Sequence, residues 1–175
     1  MSFPSLASRS FPRRRTGKQA LAAAIAFAAI VAGCGGSGTD YRLVEGNGYS
    51  FEAPVGWTLV RTPRTLGMQH GDVDLVQVTR LPLVRPYSPT LFKRVTPELN
   101  RVAGELGKGQ GATVTGKTIR VLGQPTRQYQ LRFSGRLEEL TFVLRGKTNY
   151  QLLCRRDENG DDAPCRRLVS SFRPD

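Results

Sequence analysis

Apolar residues recur at every second position along much of the chain after residue 40, in short runs that end at turns containing glycine or proline. This alternation is typical of strands that bury one face and expose the other. The last three predicted strands follow one another across two tight turns, which predicts an antiparallel meander. The predicted strands cover residues 41–44, 49–53, 57–60, part of 72–83, 113–122, 127–133, 140–144 and 149–154.

A helical pattern interrupts the strands in the middle of the chain. Ser88-Pro89 and Thr96-Pro97 each have the form of an N-cap followed by a first-turn proline. We therefore predict one helix from about Pro97 to Leu106, with a helical turn before it or a kink at Pro97. Its apolar face, at three- and four-residue spacing, comprises Leu91, Val95, Leu99, Val102 and Leu106.

A second helix is expected at the C-terminal end, beginning at Asp161-Asp162-Ala163-Pro164. Its Leu168, Val169 and Phe172 would face the sheet. Trp57, the only tryptophan, follows a Pro-x-Gly corner and is expected to pack into the core, with ligand stacking as the alternative. The pattern predicts an α+β fold, in which flanking helices cover an antiparallel β-sheet.

The residues before position 41 follow a different pattern. Residues 1–19 are basic and contain no acid, and residues 20–32 are almost wholly apolar. Such a run is shorter than the roughly 20 residues of a membrane-spanning helix and has the length of a signal-peptide core. We predict a signal peptide over 1–33, a flexible tether over 34–40 and one domain over 41–175.

The apolar run ends at Val31-Ala32-Gly33-Cys34, which resembles the bacterial lipobox. The resemblance implies cleavage before Cys34, a diacylglycerol thioether on its sulfur with acyl chains such as palmitate, and attachment to the extracytoplasmic face of the cell membrane. Two or more acyl chains hold a protein stably where one does not. The alternative is a secreted protein with an unmodified thiol. Arg13-Arg14-Arg15 also leaves twin-arginine export open.

Two segments of the predicted domain resemble PsbP-like domains, a group that includes bacterial lipoproteins. Residues 49–57, Tyr-Ser-Phe-Glu-Ala-Pro-Val-Gly-Trp, match the opening "strand, Pro-x-Gly-Trp, strand" of that family. The ending is similar too, with a strand into Cys154, a polar turn, Cys165 and a helix that closes on Ser170-Ser171-Phe172. The resemblance implies an α/β/α sandwich with binding or accessory roles and without enzyme activity.

Basic residues outnumber acidic ones, even without the predicted signal peptide. The formal net charge of +12 includes five basic residues before Cys34, and 21 basic residues then face 14 acidic ones. On an exported protein this excess favours anionic lipid, a wall polymer or an envelope protein as partner, and we expect no nucleic acid. Because the basic residues are scattered along the chain, a solvated surface also explains them.

The two remaining cysteines agree with export. Cys154 and Cys165 are expected to meet an oxidising compartment, where a disulfide between them is the natural pairing. Neither has a closely spaced cysteine partner, and the single histidine, His70, is distant in sequence. We therefore expect no metal site and no free thiol that could act as a nucleophile.

Residues 111–118, Gly-Ala-Thr-Val-Thr-Gly-Lys-Thr, fit the P-loop pattern letter for letter. Phosphate binding by this motif needs a strand before it, a curled loop and a helix after it. Here a helix is expected before the motif, and Ile119 to Leu122 continue as a strand. We therefore interpret Gly116 and Lys117 as strand residues and expect no nucleotide cofactor.

Asp157, Asn159 and Asp161 have the spacing that opens a calcium loop, but Asp162 and Leu168 occupy the places of its essential glycine and glutamate. A turn followed by a helix cap explains these residues more simply, with a weak cation site as the alternative. His70 is expected in a loop between strands, as exposed polar surface.

The sequence thus predicts a lipid-anchored binding or accessory module without catalytic residues or cofactors. One alternative is an envelope enzyme whose acid/base pair comes from scattered acids such as Asp72, Asp74 and Glu98. The other is a purely structural surface lipoprotein. A pocket with converging ionisable groups would favour the enzyme, whereas an open cleft would favour the binding module.

Overall fold

The computed structural model describes residues 39–175. The predicted signal peptide, Cys34 and most of the predicted tether lie outside these residues. The described part begins at Thr39 and Asp40, and the Asp40 carbonyl accepts a hydrogen bond from Val55 N at 2.8 Å. The domain therefore starts next to the corner that ends its second strand.

The described chain folds into antiparallel strands and two helices, which confirms the predicted α+β class. The elements are β1 Tyr41–Gly46, β2 Tyr49–Pro54, β3 Thr58–Arg61, β4 Thr65–His70, β5 Asp74–Pro82, α1 Pro89–Gly109, β6 Thr113–Val121, β7 Gln124–Phe133, β8 Arg136–Arg145, β9 Thr148–Asp157, α2 Ala163–Ser171 and β10 Arg173–Pro174. Strands β1 to β9 each begin or end near a turn that contains glycine, a residue that tolerates the backbone angles of tight turns.

The strands form two sheets, where the sequence predicted one. The larger sheet has the order β3-β4-β5-β9-β8-β7-β6, and the smaller has the order β1-β2-β10. The larger sheet consists of two meanders, β3 to β5 and β6 to β9, which meet where β5 pairs with β9. Because that pairing joins residues far apart in sequence, local alternation could not reveal it.

One face of the larger sheet is covered by the smaller sheet and by α2. Their interface is the main core, which centres on the fully buried side chains of Phe51, Leu168 and Phe172. The Phe172 ring lies 5.2 Å from that of Tyr150 and 6.2 Å from that of Tyr49. The C-terminal segment therefore completes the core that the first strands begin.

The opposite face carries α1, which packs on β6 and β7 over a second, smaller core. The approach is close, because a Cβ atom on Gly107 would lie 2.1 Å from Val114 Cγ2. Asn100 adds a polar link, accepting hydrogen bonds from the Tyr129 hydroxyl at 2.7 Å and from Arg127 Nε at 3.0 Å.

Helix α1 is longer than predicted and begins one proline earlier. Ser88 is the N-cap, and its side chain accepts a hydrogen bond from Leu91 N at 3.0 Å. Thr96 is not a cap: it lies inside the helix, and its hydroxyl donates to the Phe92 carbonyl at 2.8 Å. Pro97 is tolerated because it faces solvent, as does Lys93, whose carbonyl loses its helical donor there.

The predicted apolar face of α1 is only partly confirmed: Leu99 packs against the second core, but the buried side is rotated relative to the prediction. Phe92, Ala103 and Gly107 are buried against the sheet, whereas Val102 and Leu106 are 36% and 45% exposed. At Gly107 the residue is small because α1 lies too close to Val114 of β6 for a larger side chain. Among the described residues, no helix is both long enough and apolar enough to cross a membrane.

Candidate functional site: a basic cleft

A cleft of about 780 Å³ lies at the end of the domain where several turns meet. The β1–β2 turn, the β3–β4 turn, the end of β5 and the β8–β9 turn form its walls. Hairpin pairing places these turns side by side, since Arg80 N donates to Arg64 O at 2.9 Å and Pro82 pairs with Thr148. The cleft is lined by Glu45, Gly46, Asn47, Tyr49, Arg61, Thr62, Pro63, Arg64, Thr65, Leu66, Arg80, Pro82, Lys147 and Thr148.

Four basic side chains line this basic cleft, against one acid. Within the described part of the chain none of the four, and not Glu45 either, takes part in a salt bridge. Five other arginines in residues 39–175 do, for example Arg101, which pairs with Glu98 at 2.5 Å. The four basic residues are Arg61, Arg64, Arg80 and Lys147. The cleft therefore concentrates uncompensated positive charge.

Tyr49 supplies a rigid, neutral wall beside these charges. Its ring is buried, and its hydroxyl donates to the Val78 carbonyl at 3.1 Å. Burial raises the pKa of Tyr49, while the nearby charges of Arg61 and Arg80 act in the opposite direction. Tyr49, Arg61 and Arg80 all line the same cleft.

The β1–β2 turn brings Arg80 into the cleft. Gly48 has a φ of 79°, the left-handed region that glycine adopts without strain. A Cβ atom at this position would lie 3.9 Å from Arg80 Cζ, so the turn and the guanidinium group lie in contact. The tight Asn47-Gly48 turn thus fixes one wall of the cleft.

The chemistry that this arrangement supports is anion binding. Guanidinium and ammonium groups donate several hydrogen bonds each and accept none. The single carboxylate in the cleft, Glu45, is exposed and has no histidine, cysteine or second acid beside it in the lining. The residues that line the cleft therefore combine four basic groups with one carboxylate, an arrangement that suits the binding of an anion.

The structure joins Cys154 to Cys165 in a disulfide, with the two Cα atoms 5.3 Å apart. Cys154 lies near the end of β9 and Cys165 in the first turn of α2, so the bond clamps this helix to the sheet. Both residues are buried, at 3% and 2% exposure. Within residues 39–175 no three histidine, cysteine or acidic side chains come together as a metal site.

His70 ends strand β4, a strand that the sequence did not predict, rather than lying in a loop. Its ring stacks on that of Trp57 with 6.0 Å between centroids, and Trp57 itself is only partly buried at the edge of the core. Both line a cavity of about 190 Å³ that reaches Thr39 and the disulfide. Asp74 and Asp161 also line it, but this cavity lies at the opposite end of β1 from the basic cleft.

The acids considered for catalysis do not converge. Asp72 and Asp74 lie at the β4–β5 turn, whereas Glu98 is on α1, which packs on β6 and β7 beyond β9 and β8. Glu98 is exposed and bonded to Arg101, whose hydrogen bonds hold the pKa of Glu98 below its usual range. Glu98 is therefore held by a neighbouring arginine on its own helix and lies apart from Asp72 and Asp74.

The P-loop sequence forms a strand, as predicted. Gly116 and Lys117 lie within β6 and pair with Tyr129 and Gln128 of β7, so the backbone is extended instead of curled around a phosphate. A Cβ atom on Gly116 would lie 2.9 Å from Tyr129 Cε1. This glycine is therefore explained by packing under an aromatic ring.

The calcium-like spacing belongs to a turn and a helix start, which confirms the simpler interpretation. Asp157 Oδ1 accepts from Asn159 N at 3.0 Å, and Asp161 Oδ1 accepts from Ala163 N at 2.9 Å. These two carboxylates hold the backbone of the turn. Asp162 is the N-cap of α2 and forms a salt bridge with Arg166.

Sequence reasoning did not identify the basic cleft. Its basic residues are spread from position 61 to position 147 and belong to no motif. The available signal was weak: Arg61, Arg64 and Lys147 each lie at or beside a turn that the alternation pattern marks. Only the pairing of β5 with β9 brings these turns together.

No protein-family model matches the chain, and no curated protein matches it. Among solved structures, it is similar to a protein from Bacteroides thetaiotaomicron with a TM-score of 0.49, 10% identity and 78% coverage of this chain. The chain spans about half, 48%, of that protein's length. It is also similar to cyanobacterial PsbP (CyanoP) from Synechocystis sp. PCC 6803, with a TM-score of 0.59 and 15% identity over 83% of this chain and 99% of that one. At this identity the likeness shows the fold alone: the described residues have a PsbP-like α+β fold.

Proposed function

We propose that this protein is a binding or accessory module of the bacterial cell envelope, held on the extracytoplasmic face of the membrane by a lipid on Cys34. It binds an anionic partner through the basic cleft and performs no chemistry on it. The apolar run before Val31-Ala32-Gly33-Cys34 supports the anchor. Two acyl chains on that cysteine would hold the domain stably at the membrane.

The uncompensated charge of the basic cleft is the observation that carries the binding role. Four cations gathered without salt-bridge partners repel one another, and an anion in the cleft relieves that repulsion. The cleft's volume of about 780 Å³ also lies in the range of sites that hold a sizeable ligand. A charged surface that only kept the protein soluble would not require such a concave arrangement.

The absence of catalysis is supported by the same lining. Hydrolysis and group transfer depend on a paired acid and base, and a site whose ionisable groups are nearly all cationic is poorly suited to supply one. In residues 39–175 the acids considered for that role lie outside the cleft, and Glu98 on α1 is separated from Asp72 and Asp74 at the β4–β5 turn. This separation favours a module that binds over one that transforms its ligand.

The anchor is tested by Cys34→Ala, with Ser37→Ala as the matched control three residues downstream. We expect Cys34→Ala to lose partitioning into the detergent phase and to lose cleavage before position 34, while Ser37→Ala behaves like the parent. Detergent phase partitioning and N-terminal mass spectrometry measure both. Equal partitioning and maturation of the two variants would contradict the proposed anchor.

The binding role is tested by photocrosslinking in intact cells. In one variant a photoreactive amino acid replaces Thr62, which lines the basic cleft. In the control variant it replaces Lys93, which is exposed on α1, on the other face of the larger sheet. We expect an adduct with an envelope component at Thr62 only, detected by the mass of the intact protein. No adduct at Thr62, or the same adduct at both positions, would argue against the cleft as the binding site.

A further inference from the structure

The donors of the basic cleft suit a ligand with several oxygens around each negative charge. Arg61, Arg64 and Arg80 each carry a planar guanidinium fork, which matches the oxygens of phosphate in a bidentate manner. They reach the cleft from two different hairpins. A carboxylate has two oxygens in all, whereas a phosphodiester has two charged oxygens and two ester oxygens, so successive phosphates offer acceptors to more than one fork.

Uncharged donors stand among the basic side chains. The Thr62 hydroxyl oxygen accepts from Thr65 N at 3.1 Å, so its own hydrogen remains free to donate into the cleft. Asn47 is exposed at the tip of the β1–β2 turn and also lines the cleft. Uncharged donors beside guanidinium groups can donate hydrogen bonds to the non-bridging and ester oxygens of a phosphate group.

The size and charge of the cleft call for more than one anionic group. Four basic residues and one acid leave an excess that a single monoanion does not neutralise. The volume, about 780 Å³, is of the size that accommodates a drug-sized ligand. A ligand that carries phosphates in succession satisfies both requirements.

The position of the cleft favours a polymer over the headgroups of the anchoring membrane. The chain enters the domain at Thr39, next to the start of β1, whereas the cleft lies at its other end, about 20 Å away for six extended residues. Cys34 precedes Thr39 by five residues, which span at most about 18 Å. A lipid on Cys34 would therefore be connected to the domain through Thr39, at the end of β1 opposite the cleft.

From these observations we infer that the basic cleft binds successive phosphate groups of a phosphodiester-linked polymer of the cell wall. Arg61, Arg64 and Arg80 bind the phosphate oxygens, Lys147 adds a fourth positive charge, and Thr62 donates from its hydroxyl. The inference rests on the proposed function, because it names the chemistry of the ligand that the module binds.

Calorimetric titration of the full chain in a nonionic detergent tests the inference with three soluble probes. Tripolyphosphate represents successive phosphates, citrate offers three carboxylates, and glycerophosphoglycerol is the headgroup of a common anionic lipid. We expect tripolyphosphate to bind about tenfold more tightly than either of the others, with affinity that falls as salt increases. Equal binding of citrate, or equal binding of glycerophosphoglycerol, overturns the inference, as does no binding of tripolyphosphate.

Substitutions locate the site. Arg61→Gln and Arg80→Gln should each weaken tripolyphosphate binding about tenfold, since each removes charge-assisted hydrogen bonds. Arg94→Gln on α1 changes the net charge by the same amount outside the cleft and should leave the affinity unchanged. Equal losses at all three positions would mean that binding depends on net charge alone, and the inference would fail.

The two proposals fail in different ways. If the adduct at Thr62 forms in cells while no phosphate probe binds, the cleft still serves a partner and only the phosphate inference is wrong. If tripolyphosphate binds and the adduct at Thr62 is absent in cells, the chemistry of the cleft stands and the proposed role in the envelope is wrong.

Discussion

Two glycines of α1, three positions apart, should respond in opposite directions to the same substitution. At Gly104 a Cβ atom would have no heavy atom within 4 Å. At Gly107 it would lie 2.1 Å from Val114 Cγ2 and 3.2 Å from the Ala112 carbonyl oxygen. Alanine therefore fits at Gly104, whereas at Gly107 it forces helix α1 away from strand β6.

The magnitudes follow from helix propensity and packing. Alanine in place of a helical glycine stabilises by about 0.5–1 kcal/mol, because the unfolded chain loses less backbone freedom. At Gly107 the same gain is offset by overpacking, which costs about 1–3 kcal/mol, and β-branched Val114 has little rotamer freedom with which to yield. We expect Gly104→Ala to be more stable than Gly107→Ala by about 1–3 kcal/mol.

Urea unfolding of the full chain, followed by the fluorescence of its single tryptophan, measures both variants. The double variant Gly107→Ala/Val114→Ala removes the obstructing methyl group, so its loss should be smaller than the sum of the two single losses. Gly107→Ala as stable as Gly104→Ala would refute the close approach of α1 to β6. Additive losses in the double variant would show that Val114 is not the obstacle.

Three further outcomes are expected. Replacing Cys154 and Cys165 together by alanine should lower the free energy of unfolding by about 3 kcal/mol, from the entropy of a closed loop of this length. Equal stability of the parent and the double variant in urea without reductant would contradict this. The raised pKa of Tyr49 favours its neutral form in the folded state, so stability should fall as pH rises past the ordinary value of 10.0. Tyr49→Phe should flatten that alkaline loss in urea titrations, and an unchanged slope would exclude Tyr49 as a cause. Lys117→Ala should leave the melting temperature unchanged and reveal no loss of magnesium-nucleotide binding, which calorimetry checks.

Local patterns were sufficient for most of the strands but not for β4. Leu66, Gly67 and Met68 are buried one after another, so no alternation marks this segment. Gly67 also weakens the strand signal, although its presence has a reason: a Cβ atom there would lie 2.6 Å from Gln77 Cβ on β5. The extended conformation of β4 therefore depends on its pairing with β5, which the sequence of β4 alone does not indicate.

The helix illustrates a competition between two valid signals. Thr96-Pro97 and Ser88-Pro89 both have the form of a helix start, and the sequence gives no reason to prefer the earlier one. The structure places the start at Pro89 because the exposed position of Pro97 lets the helix continue past it. The sequence also did not predict that Ala103 and Gly107 of α1 face the sheet. They are small, and the close packing of Gly107 on Val114 leaves no room for a larger residue there.

The pairing of β10 with β2 has a consequence for the order in which the domain is completed. Arg173 pairs with Ser50, and the neighbouring Phe172 is fully buried against Tyr49. These residues follow β1 to β9 in the chain, so the elements that precede them lack the side chain that seals the core until Phe172 joins them. A chain without Phe172 would leave the rings of Tyr49 and Tyr150 without the aromatic side chain that packs on both.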